Sequence, residues 1–260
     1  MEFITLISDY GHNSPYVAAL KGVIYSQLPD VQVTDISHAI KPHDVLQAAY
    51  ILKNAAKYFP AGTVHIISVD TAFALHKQFL IVEYKNHFYI GADNGIFSLL
   101  FDEKPENILA VKPDLISADD LFPDKNLFAG LAIKMILHED INTFAVPANI
   151  QNIKQNISPV EEENLIRGSI IFIDGYGNAI TNITKKLFEQ KVEGKKRFSV
   201  FYRKREKINY ISKNYNDVKN GHELALFNEA ELLEIAMNTG KAGQLLGLNE
   251  GGQVFIEFYD

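Results

Sequence analysis

The chain has 260 residues, 47% hydrophobic and 22% charged, a globular composition that excludes disordered, collagenous and coiled-coil classes. It contains no Cys, which removes disulfide scaffolds, thiol catalysis, iron–sulfur clusters and cysteine-based zinc sites. A formal charge of −7 argues against a broad nucleic-acid surface; the basic run Lys195-Lys196-Arg197 … Arg203-Lys204-Arg205 reads as the solvated ends of two strands and their turn. No apolar stretch approaches the roughly 20 residues of a membrane helix, and the short N-terminal segment carrying Glu2 does not read as a signal peptide. A soluble, cytoplasmic protein with no membrane or nucleic-acid partner is the expectation.

Phe3 to Ile7 is a short apolar run that predicts a buried strand. Ser14-Pro15 predicts a capped helix start, followed by Val17, Leu20, Ile24 and Leu28 at helical spacing. Val31, Val33 and Ile36 predict a second strand, and Pro42 opens a helix through Val45, Ala48, Ala49, Leu52 and Ala56. Val64 to Val69 predicts a third strand, and residues 79–84 and 88–91 a hairpin across Lys85-Asn86-His87. Asn126 to Leu137 reads as an amphipathic helix. Strands alternating with helices predict an α/β domain over 1–146 with a mainly parallel sheet. Residues 147–166, polar and containing Pro147 and Pro159, read as a linker. Beyond it, short and closely spaced strand signals predict a smaller β-barrel-like domain over 167–260, interrupted by short helices near 185–190 and 239–246.

In an open α/β sheet, ligands bind beyond the carboxyl ends of the strands. Asp9, Asp35 and Asp70 fall at such ends. Asp93-Asn94-Gly95 has the simpler reading of a turn opening a helix, and His38 that of a satisfied structural histidine. The His residues are scattered, no His-Glu-x-x-His is present, and no metal site is expected. There is no nucleophile elbow, Walker loop or Gly-x-Gly-x-x-Gly. Asp174-Gly-Tyr-Gly-Asn178-Ala-Ile-Thr-Asn182 reads by itself as a glycine hairpin with Asn capping.

The ordered set is more specific. Ile7-Ser-Asp9-Tyr-Gly11, Ser14-Pro15-Tyr16-Val17, Lys21-Gly22-Val23-Ile24, Asp35-Ile-Ser37-His38, Gly91-x-Asp93-Asn94-Gly95, Ile173-Asp174-x-Tyr-Gly177-Asn178-x-Ile-Thr181-Asn182 and Leu233-Glu234-Ile235-Ala236-x-Asn238 recur along nearly the whole chain. This pattern resembles the adenosine-forming S-adenosyl-L-methionine (SAM) hydrolases, or SAM hydroxide adenosyltransferases, with which the fluorinating and chlorinating enzymes belong. The resemblance implies an N-terminal α/β domain, a C-terminal β-barrel-like domain and a homotrimer. It places the ligand between one subunit's N-domain and its neighbour's C-domain. The implied reaction is displacement of methionine from ribose C5′ by water, with no cofactor beyond SAM, or adenosine, as substrate or ligand. Position by position, Asp9 corresponds to the acid that binds the ribose hydroxyls, and His43 to a position beside the ribose. Asp174 corresponds to the acid that pairs with the methionine amino group, and Tyr176 to an aromatic position of the pattern. Asn178 corresponds to the amide that reads adenine, Tyr215 to the aromatic that stacks on it, and Met237 and Thr239 to backbone at its edge. Asn228 falls in the methionine-carboxylate segment. Asp70 corresponds to the water-orienting acid, where halogenating members carry Tyr; this favours water over halide.

The chain also departs from the pattern. The usual glycine-rich run after the water-orienting Asp is Thr71-Ala-Phe-Ala74, and Lys77 stands where the hydrolases carry Arg. The segment Phe122-Pro123-Asp124-Lys125-Asn126 puts Pro123 at the family's catalytic His. Asn228-Glu229-Ala230-Glu231 brings two acids to the carboxylate-holding segment. Asp70 and Lys77 are therefore the expected catalytic pair of a SAM hydrolase. A non-catalytic nucleoside binder, or an enzyme for another adenosyl substrate, stays open beside it.

Overall fold

An apolar hexapeptide, Phe3–Ser8, forms strand β1, buried from its second residue onward because both faces of a central parallel strand are covered. The structure is a computed structural model and describes residues 2–71, 78–117, 120–155, 157–203 and 206–260. The chain divides into two compact units, Met1–Gln155 and Asn156–Asp260.

In the first unit β1 is followed by α1 (Tyr16–Gln27), β2 (Gln32–Ser37), α2 (Val45–Ala56), β3 (Val64–Ser68), β4 (Phe79–Tyr84), β5 (His87–Ala92), α3 (Ile96–Leu100), β6 (Asn107–Val111), α4 (Ala129–Ile136) and β7 (Ala145–Pro147). Their order across the sheet is β2-β1-β3-β5-β4-β6-β7. The first four strands are mutually parallel; β4, β6 and β7 join antiparallel. The sheet is thus mixed, with its parallel part confined to one side. The reversal comes from Lys85 and Asn86, both at positive φ, as a two-residue hairpin turn requires.

Helix α2 buries Val45, Ala48, Ala49, Leu52 and Ala56 at helical spacing, in one core with Ile7, Ile67 and Phe97. On the other core, Leu20 and Ile24 of α1 and Ala132 and Ile136 of α4 join Ile4 and Ile66. These layers fix the strand ends that carry the candidate acids. Three helix starts differ from the sequence reading. Ser14 Oγ donates to the Tyr10 carbonyl, and Pro15 itself holds the N-cap of α1. Pro42 does not open α2: His43 takes φ 65°, and Asp44 caps the helix by accepting from the Gln47 N–H at 2.9 Å. The helix expected from Asn126 opens instead as a π-helical turn, Asp124–Phe128, that runs into α4.

Parts of the stretch read as a linker are held by specific contacts. Buried Asp93 accepts from the Gln151 N–H at 2.8 Å and the Asn152 N–H at 3.2 Å, which ties residues 149–152 into the first unit. Val160–Glu162 forms β8 and pairs with β9 (Leu165–Ile173) in the second unit.

After β9 come β10 (Ala179–Thr184), α5 (Lys185–Val192), β11 (Arg197–Phe201), β12 (Lys207–Ile208), β13 (Glu223–Phe227), β14 (Leu232–Met237), α6 (Ala242–Leu245) and β15 (Gln253–Tyr259). The antiparallel sheet runs β12-β11-β15-β9-β10-β14-β13. The Ser212 N–H just after β12 donates to the Ala225 carbonyl of β13 at 2.8 Å, bringing the two ends of the sheet together in a barrel-like form. Long β9 pairs with β15 through its first half and β10 through its second. Gly168 sits at the bend, where an added Cβ would collide with the Ile183 side chain. Ile166, Ile170, Ile183, Val200, Ile235 and Val254 fill the interior.

Candidate functional site

The first unit gathers three of the sequence-predicted residues beyond the carboxyl ends of adjacent parallel strands. Asp9 follows β1 and Asp70 follows β3. Asp9 Oδ2 accepts the backbone N–H of His43 at 3.0 Å and that of Asp70 at 3.2 Å. The His43 ring completes the group, with Nδ1 2.8 Å from Asp70 Oδ1. Asp9 Oδ1 has no hydrogen-bond partner among the described residues and is available to a ligand hydroxyl. His43 and Asp70 both hold left-handed backbone, φ 65° and 51°. Each costs of order 1–3 kcal/mol, strain that persists where surrounding structure over-determines it and that clusters at functional sites. Here the Asn94 amide supplies part of that constraint, donating to the Val69 carbonyl at 2.9 Å while its Oδ1 caps α3 at Ile96. Lys77, the second expected catalytic residue, lies outside the described residues.

Asp35, the third acid read at this edge, turns to other partners. Its Oδ2 accepts from Lys21 Nζ at 2.7 Å and its Oδ1 lies 2.9 Å from His38 Nε2; His38 Nδ1 is 2.7 Å from Ser8 Oγ. The order Ser8, His38, Asp35 is that of a nucleophile relay, but Ser8 is buried at 2% exposure. Its chemistry is that of a structural tie between β1 and β2. Lys21 and His38 hold the Asp35 carboxyl below its ordinary range, although partial burial works against them.

Asp124, at the start of the π-helical turn, is 1% exposed. Its Oδ2 accepts from the Tyr10 hydroxyl and from Thr71 Oγ1, the latter at 2.9 Å. Burial pushes this carboxyl up to about 6, against the pull of its hydrogen bonds. Burial and the Asp124 charge push the Tyr10 phenol upward, so Tyr10 stays a donor.

The second unit gathers six more of the predicted residues. Asp174, Tyr176, Asn178, Tyr215, Met237 and Thr239 line one cavity of about 670 Å³, with Gly175, Gly240 and Lys241. Asp174 organises its own loop: Oδ1 accepts the N–H groups of Tyr176 at 2.9 Å and Asn178 at 2.8 Å, and Oδ2 accepts the Asn178 amide at 3.1 Å. The loop is a capped glycine turn, and its residues line the cavity. Gly177, at φ 84°, lets the loop approach Lys241, where an added Cβ would come within 2.8 Å of the Lys241 Cβ. Tyr176 is 81% exposed and presents its ring freely. The Tyr215 hydroxyl donates to Glu234 Oε1 at 2.8 Å, which fixes the ring. Asn228 is absent from this lining. Its Oδ1 accepts from the Ala230 and Leu232 N–H groups, and its Nδ2 donates to Glu234 Oε2 at 3.2 Å. Buried Glu234 thus joins Tyr215 to Asn228, and burial raises its carboxyl above the ordinary range.

Sequence reasoning missed Asp124, Glu234 and Lys241. Glu234 carried a signal, a charge inside the otherwise apolar strand Leu232–Met237. Asp124 carried none, because its burial is imposed by Tyr10 and Thr71 from distant parts of the chain. No cluster of three or more His, Asp or Glu among the described residues has metal-binding geometry, and none of their helices is long and apolar enough to cross a membrane. A larger cavity in the first unit, about 780 Å³, lies against Phe3, Val64 and Phe88 at the amino-terminal ends of the parallel strands and contains none of these candidate residues.

Residues 4–145 match the SAM hydroxide adenosyltransferase N-terminal domain, and residues 168–255 match the corresponding C-terminal domain. The chain is 28% identical to the (R)-S-adenosyl-L-methionine hydrolase of Thermus thermophilus, over 96% of this chain and 98% of that protein. A 61-residue stretch is 39% identical to the fluorinase of Nocardia brasiliensis, covering 24% of this chain and 20% of that one. The crystal structure of an uncharacterized conserved protein from Thermotoga maritima superposes with a TM-score of 0.86 at 26% identity, covering 97% of this chain and 99% of that one. With both halves matched in order and the fold shared from end to end, this chain belongs to the SAM hydroxide adenosyltransferase family.

Proposed function

We propose that this protein hydrolyses SAM at ribose C5′, releasing adenosine and methionine. The observation that carries the reading is the Asp9–His43–Asp70 group beyond β1 and β3. Water oxygen attacks C5′, the C5′–sulfur bond breaks, its electron pair returns to sulfur, and methionine leaves as a neutral thioether. The attacking water loses one proton, which passes by way of the Asp70 carboxylate to solvent. Asp70 orients that water, and its carboxylate opposes the positive charge that develops on the water oxygen in the transition state. Asp9 offers a carboxylate oxygen to the ribose hydroxyls. Lys77 is the further residue proposed to act here. In the second unit Asn178, Met237 and Thr239 serve as readers of the adenine edge, Tyr215 as its stacking surface, and Asp174 and Tyr176 as contacts to the rest of the ligand. The sulfonium already makes methionine a good leaving group, so positioning and desolvation supply most of what catalysis needs, and no cofactor is required. A homotrimer and a cytoplasmic location complete the proposal; light scattering tests the first, with an expected mass three times the 29.2 kDa chain.

A second reading, a nucleoside binder without turnover, is favoured by one observation. Both ends of the Asn228 amide are committed to its own turn and to Glu234, which leaves a methionine carboxylate without that donor. Incubation of the protein with SAM in both sulfonium configurations, against an Asp70→Asn control, separates the two. The hydrolase reading expects adenosine from the wild type and at least about tenfold less from the variant, the loss expected for a charge-assisted contact. Equal turnover in both overturns the role given to Asp70. Tight adenosine binding by a folded protein that yields no adenosine from SAM favours the binder.

A further inference from the structure

One buried carboxylate is left without an assigned task. Asp124 stands at the position after Pro123, on the π-helical turn that precedes α4. It reaches back to both loops that carry the acidic group. Tyr10, the residue after Asp9, donates its hydroxyl to Asp124 Oδ2, and so does Thr71, the residue after Asp70. The other oxygen, Oδ1, is buried and meets no well-aligned hydrogen bond among the described residues, although the Ser68 hydroxyl at the end of β3 lies near enough to this carboxyl to favour its charged form. An under-satisfied carboxylate at 1% exposure is costly, and simple packing gives no reason to keep it.

We infer that Asp124 is a positioning residue of the acidic site, acting through Tyr10 and Thr71 to hold Asp9 and Asp70 in the arrangement that binds the ribose and orients water. The inference rests on the proposed chemistry for its kinetic consequence, but its effect on ribose binding through Asp9 stands apart from turnover. Two hydroxyl donors on one carboxylate oxygen are charge-assisted and about twice as strong as neutral bonds. Protonation of Asp124 weakens both at once, and the two loops relax together. The strained φ of Asp70, adjoining Thr71, makes that loop the more sensitive of the two.

Other titratable groups around this turn have their own partners. From α1, the Tyr16 ring packs on Tyr10 and Phe122, and Lys21 pairs with Asp35. From α4, Lys134 pairs with Glu139; from β3, His65 bonds to Thr5 and His87. Just before the turn, Asp120 Oδ1 accepts from the Phe122 N–H and the Asn126 amide, and on the turn itself Lys125 lies over the Phe122 ring at 5.4 Å; from the loop after β1, the Asp9 charge acts on Tyr10. None of these is hydrogen-bonded to Asp124 among the described residues. Burial holds the Asp124 carboxyl up at about 6, which places its titration in an accessible range.

The test follows two readouts across pH 5–8 in the full-length protein: SAM turnover, and adenosine affinity by calorimetry. In the wild type both weaken as pH falls through about 6. Asp124→Asn keeps the shape and removes the charge. It is expected to lower both readouts about tenfold at pH 8 and to abolish the step near pH 6. Thr71→Val keeps the charge but removes a bond that lowers the Asp124 titration, so the step moves to higher pH; this variant carries the test if Asp124→Asn does not fold. A step that survives unchanged in Asp124→Asn, or does not move in Thr71→Val, overturns the inference even if SAM is turned over. If the wild type yields no adenosine from SAM, the hydrolase reading fails alone. The inference then stands or falls on the step in adenosine affinity.

Discussion

Imidazole Nδ1 of His43 lies 2.8 Å from Oδ1 of Asp70, and both residues hold left-handed backbone with no glycine to ease it. The contact spans 27 positions of sequence and joins the loop before α2 to the end of β3. A strained residue that orients the carboxylate assigned to water costs stability and contributes to chemistry. His43→Gly separates the two. It removes a left-handed Cβ penalty of about 1–2 kcal/mol, partly offset by the entropy of glycine. A higher urea midpoint with lower SAM turnover is expected; a lower midpoint contradicts the strain argument.

Tyr215 is the side chain on which adenine stacks in this account, with Glu234 holding its hydroxyl at 2.8 Å. Tyr215→Ala removes the platform and is expected to weaken adenosine binding by about 1–3 kcal/mol, the range for base–aromatic stacking. Tyr215→Phe keeps the ring and should lose far less. Calorimetry with adenosine decides; equal losses in the two variants rule out stacking as the main contribution.

Gly177 approaches Lys241 at a backbone φ of 84°. Gly177→Ala puts a methyl 2.8 Å from the Lys241 Cβ in a left-handed conformation that itself costs about 1–2 kcal/mol. Lower thermal stability and weaker adenosine binding are expected together, because Asp174, Asn178 and Lys241 line the same cavity. Unchanged affinity at lower stability would detach this loop from the ligand.

His65 is fully buried, with Thr5 Oγ1 2.6 Å from Nδ1 and His87 Nδ1 3.1 Å from Nε2. Burial first, and then the His87 charge, hold its titration down at about 3, below the ordinary 6.5. The unfolded chain therefore takes up this proton before the folded one. The stability it contributes is complete above about pH 6.5 and is lost as pH falls toward 3, at up to about 1.4 kcal/mol per pH unit. His65→Gln should flatten this part of the acid-unfolding profile, read by urea midpoints between pH 4 and 8. Asp124 works with the opposite sign: its raised titration costs stability as pH rises from the ordinary carboxylate range to about 6. An unaltered acid slope in His65→Gln removes the histidine from the account.

Much of the site was legible because it follows strand ends. Asp9 and Asp70 each come just after a short apolar run, and parallel pairing of β1 with β3 brings those ends together. The six residues around the second cavity were legible through the resemblance, which spans the loop at 174–178 and the end of β14. Asp35 looked equivalent to Asp9 and Asp70 in sequence, yet Lys21 and His38 claim it. Long-range partners also decided the rest. Gln151 and Asn152 are fixed in the first unit by buried Asp93, and the start of α2 is delayed by His43 turning toward Asp70. The hairpin at Lys85-Asn86 was visible, but not that β4 would sit outside β5 and turn the sheet from parallel to mixed.

The central claim is that water attacks ribose C5′ in this site. The most direct measurement is SAM hydrolysis in heavy-oxygen water, with the isotope located in the products by mass spectrometry. The account predicts adenosine carrying the heavy oxygen at its 5′-hydroxyl and unlabelled methionine. Unlabelled adenosine, or none from a folded protein that binds adenosine, contradicts it.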